Sequence, residues 1–217
     1  EALGESTGFD FPGVTEISPE AAAALGAFPD GEAIGPEMKK IVVPSGALSF
    51  PSLQELSTET ARLLLNKRWA SISLPALNEV SLETVRLMAR QTSQLTLGIP
   101  TLPTEFAGAF AEIPTRQPMA GDNISFPYLN DLSPEAARIL VTSLNRGFRE
   151  VPHGKFSNSP RLSFGGVSGF ATLSPALAVE LAKYEGNLAI EGLGELPAES
   201  AAALAPYPGP RLSLSGP

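Results

Sequence analysis

One short pattern recurs along this chain and limits what it can fold into. It runs apolar-x-apolar, two residues, apolar, two residues, apolar, then a helix start. It reads Leu48-Ser49-Phe50, Leu53, Leu56, then Ser57-Thr58-Glu59. It returns as Ile72-Ser73-Leu74 with Leu77, Val80 and Ser81-Leu82-Glu83, and as Ile124-Ser125-Phe126 with Leu129, Leu132 and Ser133-Pro134-Glu135. A fourth copy is Leu188-Ala189-Ile190 with Leu193, Leu196 and Pro197-Ala198-Glu199. Looser copies start at Phe9, Leu95 and Leu162, and a half copy is Leu212-Ser213-Leu214. The triplets begin at 9, 48, 72, 95, 124, 162, 188 and 212, so the gaps are 39, 24, 23, 29, 38, 26 and 24. A period near 24 with three lengthened units marks a repeat architecture.

Each unit has a physical reading. The triplet alternates apolar with small polar, the period of a strand with one buried face. A turn follows, rich in Pro and Gly (Pro51, Pro75, Pro127, Gly165). Ser-Pro-Glu then supplies an N-cap, a proline at the first helical position and an acid in the first turn. Ala- and Leu-rich helices follow, as at Ala21 to Leu25, Ala61 to Leu65 and Ala136 to Leu140. One unit cannot cover its own apolar residues, but stacked units can. The expected core is Leu48, Phe50, Leu53, Leu56, Ile72, Leu74, Leu77, Val80, Ile124, Phe126, Leu129 and Leu132.

Composition excludes several classes. The 217 residues hold no Cys and one His, which removes disulfides, thiolate metal sites, a Cys nucleophile and His-pair metal sites. The net charge is −8, against the clustered Lys and Arg that nucleic acids and anionic membranes require. No apolar run approaches the roughly 18 residues of a membrane helix, so no membrane insertion is expected. Neither a Gly-x-Ser-x-Gly elbow nor a Gly-x-Gly-x-x-Gly phosphate loop is present. The first-turn acids Glu20, Glu59, Glu83, Glu105, Glu135 and Glu199 read as partners of helix dipoles rather than as a metal comb. Trp69 reads as a packing residue, and Asn123-Ile124-Ser125 matches a glycosylation sequon inside a strand. No cofactor and no enzymatic activity are expected.

The pattern resembles the leucine-rich repeat family. The nearest subtype is the cysteine-containing repeat of F-box adaptor proteins, with Leu53, Leu77, Leu129 and Leu193 standing where that repeat has Cys. The Ala-rich bacterial version known from planctomycetes fits better. No F-box is visible. The resemblance implies an α/β solenoid over residues 1–217, a single domain of seven to eight units shaped as an arc. Short parallel strands would line its concave face and helices its convex face. The middle triplet residues would then face solvent on the concave side: Asp10, Ser49, Ser73, Thr96, Ser125, Ser163, Ala189 and Ser213. They are nearly all small, and they include none of the aromatic or Arg anchors that specific sites use. Neither end reads as a capping unit. The expectation is a segment of a longer array, with end-to-end self-association as an added consequence.

The lengthened units place their extra residues between helix end and next strand, at roughly Ala27 to Pro44, Ile113 to Asp122 and Asn145 to Pro160. These inserts hold Lys39, Lys40, Arg116, Arg146, Arg149 and Lys155, six of the 15 Lys and Arg, together with His153. His153 has no visible acid or nucleophile to work with. The expected function is a non-catalytic scaffold that binds a protein or peptide, acidic in character, along this insert edge. The alternative is a structural spacer within a larger cell-surface or multidomain protein.

Overall fold

The computed structural model describes residues 8–28, 31–34, 40–43, 45–67, 69–111, 123–149, 160–165 and 170–216. Among them strands and helices alternate. The chain runs β1 (Phe9–Asp10), α1 (Pro19–Gly26), β2 (Gly31–Ile34), β3 (Lys40–Val43), β4 (Ser45–Ser49), β5 (Glu55–Leu56) and α2 (Thr58–Leu64). It continues through β6 (Trp69–Leu74), β7 (Glu79–Val80), α3 (Leu82–Gln91), β8 (Thr92–Leu97), α4 (Thr104–Ala111), β9 (Asn123–Phe126) and α5 (Pro134–Arg149). The last elements are β10 (Arg161–Gly165), α6 (Pro175–Leu181), β11 (Asn187–Glu191), α7 (Ala198–Leu204) and β12 (Arg211–Leu214).

Eight strands form one parallel sheet in the order β1-β4-β6-β8-β9-β10-β11-β12. The order is that of the sequence, and the register is that of the triplets. Phe9 pairs with Leu48, Leu48 with Ile72, Ile72 with Leu95 and Leu95 with Ile124. Ile124 then pairs with Leu162, Leu162 with Leu188 and Leu188 with Leu212. Hydrogen bonding therefore absorbs every lengthened unit without a slip. A one-residue slip would turn each apolar pair to the wrong face, so the pattern itself holds the register. A second parallel ladder follows further along the units. It comprises β5 with β7 and the bridges Thr101 to Asp131 and Thr172 to Glu195.

Right-handed crossovers between parallel strands in sequential order put every helix on the same side of the sheet. The helices pack there in chain order, each on the next from α1 to α7. Their starts are the ones the sequence marks. Ser18, Ser57 and Ser174 accept hydrogen bonds from the amides of Ala21, Thr60 and Leu177 at 3.1–3.2 Å. Ser81 and Ser133 cap α3 and α5 in the same way. Such a cap is worth about 1 kcal/mol. The caps of α2 and α3 also join across units: Thr58 Oγ1 and Ser81 Oγ lie 2.7 Å apart, and Ser81 Oγ lies 3.0 Å from buried Thr84 Oγ1.

The core lies between sheet and helices. Ten of the twelve expected core residues are buried; Val80 and Ile124 are half-buried. Val80 sits on the two-stranded second ladder, where only β5 flanks it. The third triplet position stacks rings between adjacent units: Phe11 on Phe50 at 4.9 Å and Phe126 on Phe164 at 6.0 Å between centroids. Trp69 is fully buried, as expected, and its indole N–H donates to the Leu64 carbonyl at 3.0 Å. Close stacking of turns demands glycine. A Cβ on Gly98 would come within 1.7 Å of the Pro75 carbonyl oxygen, against which the Gly98 turn packs.

The last strand is pinned by a tyrosine. The Tyr207 hydroxyl donates to the Gly186 carbonyl of the preceding unit, and the Arg211 carbonyl lies 3.2 Å away. Tyr184 makes the equivalent bond to Pro160 one unit earlier, at 3.3 Å. Burial pushes the Tyr207 hydroxyl up to about 12 from an ordinary 10, offset in part by a backbone hydrogen bond from Leu188. The protonated form is thus the one the fold favours. Its contribution is complete below about pH 10 and is lost as pH rises through about 12.

Two outcomes follow. Leu77→Ala should lower stability by about 2–5 kcal/mol in denaturant titration, whereas Ser73→Ala, on the opposite sheet face, should be near neutral. Equal losses would reverse the assignment of the two faces. Tyr207→Phe should flatten the fall in melting temperature between about pH 10 and 12; an unchanged alkaline profile would remove Tyr207 from the account.

Candidate functional site

Two regions stand apart from the packing layers. The first is the sheet face away from the helices, which no described element covers. Strand alternation puts the first and third triplet residues into the core. The middle residue and the one before the triplet therefore share the other face. That face holds a groove of about 510 Å³ across β6, β8, β9, β10 and β11. Ser73, Thr96, Ser125 and Ser163 make its floor. Ser71, Gln94, Asn123 and Arg161, one row nearer the strand starts, make one wall. Pro127, Tyr128 and Glu191 close the other side, with the Tyr128 ring exposed at the rim.

This corrects the expectation of an anchor-free face. Arg161 stands one residue before its triplet and Tyr128 two residues after its own, so a reading of middle positions passes over both. The middle residues are also less exposed than expected. Asp10 is exposed, most of the others are half-buried, and Ser163 and Ala189 are buried at 7% and 2%. An ion pair explains the last two. Arg161 sits at the start of β10 and Glu191 at the end of β11, yet their side chains meet at 3.1 Å. The pair thus runs lengthwise over Ser163 and Ala189. Both partners are about half exposed, so its net contribution is about 0–1 kcal/mol.

The second region is the edge where strands begin, which receives the inserts. The first insert is more than a connecting loop: β2 and β3 pair as an antiparallel hairpin, Gly31 with Val43 through Ile34 with Lys40. Lys40 opens β3. The third insert also departs from expectation, because its first residues are helical. The 16-residue α5 runs to Arg149 and so carries both Arg146 and Arg149, while the other helices have 7 to 10 residues. Arg146 is exposed. Asn145, on the same turn, fastens α5 to the next unit. Its amide donates to the Lys183 carbonyl at 2.7 Å and accepts from the Glu185 amide at 3.0 Å. Lys39, Arg116, His153 and Lys155 lie outside the described residues.

Several other charges make structural contacts. Glu135 pairs with Arg138 on α5, which holds the carboxyl below the usual range and raises the guanidinium. Arg62 of α2 pairs with Glu83 of α3 across units, and Arg62 is raised by that hydrogen bond. A hydrogen bond to the Glu20 backbone amide, helped by Ser18, lowers the Glu20 carboxyl at the start of α1. Lys67 donates to the Phe28 carbonyl at 2.6 Å and lies over the Trp69 ring at 4.2 Å, linking the end of α1 to β6. Among the described residues no three of His, Cys, Asp and Glu gather as a metal site, and no helix is long and apolar enough to cross a membrane. Among the described residues that line the groove the one acid is Glu191, and it is engaged by Arg161. The chain matches no family model, no curated protein and no solved structure.

Proposed function

We propose that the chain is a leucine-rich-repeat solenoid that acts as a non-catalytic scaffold, holding a protein or peptide at its strand-start edge. The architecture is supported by sequential strand order, one unbroken register and a helix layer stacked in chain order. Parallel sheets in α/β proteins ordinarily carry helices on both faces. A sheet whose crossovers fill one face only is what an arc of repeats produces.

The observation that carries the functional reading is that, among the described residues, two of the inserts carry secondary structure of their own. The period of about 24 residues calls for neither the β2–β3 hairpin nor the extension of α5 to Arg149. Yet both stand at the ends of helices that precede a strand, and Asn145 ties the extension to the next unit. Both carry cations, Lys40 on one and Arg146 and Arg149 on the other, on a chain of net charge −8. Added segments of this kind are more often functional than structural. The complementary partner is acidic, and its affinity falls with salt.

The test is capture of a partner by the immobilised protein, followed by charge reversal. Arg146→Glu with Arg149→Glu should weaken binding at least tenfold, and Arg146→Glu alone should leave the melting temperature within about 2 °C, because an exposed charge adds little to stability. Binding that survives the reversal and is insensitive to salt would place the partner elsewhere.

A further inference from the structure

The groove on the open sheet face has a chemistry unlike the rest of the molecule. Its first and third triplet residues point into the core, so Ile72 and Leu95 offer it mainly backbone. What remains among the described residues is a floor of hydroxyls with half-buried Ile124 and Pro127 beside it, the amides of Gln94 and Asn123 at the same register on adjacent strands, one exposed phenol ring and one ion pair. The formal charges of the described lining residues cancel, Arg161 against Glu191, on a chain of net charge −8.

That combination rules classes of ligand out and one class in. An anionic ligand would meet an Arg that is already paired. A peptide bound by its side chains needs deep apolar pockets for anchors. Among the described residues the apolar side chains that reach the groove are half-buried Ile124 and Pro127 and the Tyr128 ring, a shallow surface rather than a set of anchor pockets. Hydroxyls that both donate and accept, amides that do the same in pairs, and a paired guanidinium and carboxylate suit a ligand dense in uncharged donors and acceptors. An exposed aromatic ring adds a flat apolar surface with a polar edge. Polyhydroxylated rings offer both complements at once: hydroxyls around the rim and a C–H face for the phenol. The volume of about 510 Å³ is that of an ordinary ligand site. Four strand spacings of about 4.8 Å give it a length of roughly 19 Å, the reach of a short linear oligosaccharide.

We propose that this groove binds a neutral oligosaccharide lying across the strands, stacked on Tyr128 and hydrogen-bonded by Gln94 and Asn123. The site adjoins the charged edge but shares none of the cations proposed there, and it does not rest on the reading given for that edge. Its small floor residues let the sugar approach the sheet, and the Arg161–Glu191 pair closes the far end with paired donors and acceptors.

An array of neutral linear gluco-, manno- and galacto-oligosaccharides tests this, with uronic-acid oligosaccharides and an uncharged Ser/Asn-rich peptide as competing probes. The expected result is binding of at least one neutral series, with affinity unchanged from low to high salt. Tyr128→Ala should weaken it roughly tenfold and Tyr128→Phe should retain it, because the ring face rather than the hydroxyl makes the contact. Gln94→Ala and Asn123→Ala should each weaken it about two- to tenfold with the circular dichroism unchanged. Arg146→Glu with Arg149→Glu should have no effect, which separates failure here from failure of the edge. The proposal is overturned if the folded protein binds none of the neutral series, if a charged or peptide probe binds in preference, or if Tyr128→Ala binds as the wild type does.

Discussion

Everything in this molecule depends on one constraint: a unit of about 24 residues has too little apolar surface to cover itself and must be covered by its neighbours. The triplet supplies two core side chains per strand, and the strand before and the strand after supply the walls. In-register pairing from Phe9 to Leu212 is what lets Leu48, Ile72, Leu95, Leu162 and Leu188 bury fully. The flanking strands show the converse. Phe9 and Leu212, each with one neighbour, are only half-buried, although Ile124, which has a neighbour on each side, is half-buried as well. Cooperation between nearest neighbours also explains why polar links between units recur, from the Thr58–Ser81 hydroxyl pair to Asn145 and the two tyrosines.

The parts of the fold that could be read from the sequence are those with a local physical signature. Alternation over three residues located every strand of the main sheet. Ser-Pro-Glu and its variants located the helix starts, because capping and dipole effects act within one turn. The inserts were legible as inserts but not as structure. Ile34 and the run Ile41-Val42-Val43 have the β-branched character of strands, and Leu140, Leu144 and Phe148 keep helical spacing past Asn145. Both signals were present and were outweighed by the break in period. The groove was hidden for a different reason. Gln94, Asn123 and Arg161 stand at strand starts, where nothing in the pattern fixes the residue type, and Tyr128 stands in a turn. Only the alignment of strands brings them into one lining.

Charge and neutrality are divided in space. Cations stand on the hairpin and the overhanging helix at one edge, while the described lining of the groove on the open face is paired or uncharged. The two regions adjoin, since Gln94, Asn123 and Arg161 lie at the same ends of the strands that receive the inserts. A fold of this kind can change either surface with little disturbance of the core, because both are made largely from positions that the packing between sheet and helices leaves free.

The central claim is that units separated by inserts pair in the register of their triplets. The absence of native cysteine makes cross-linking a clean readout. Thr96 pairs with Ser125 across the second insert, and Ser125 pairs with Ser163 across the third. Adjacent strands lie about 4.8 Å apart, within disulfide reach, whereas strands two apart lie about 9.6 Å apart, beyond it. The double variants Thr96→Cys with Ser125→Cys and Ser125→Cys with Ser163→Cys should oxidise readily to an intramolecular disulfide. The variant Thr96→Cys with Ser163→Cys should not. Cross-linking of that last pair, with failure of the first two, would contradict the sequential in-register sheet on which the whole account stands.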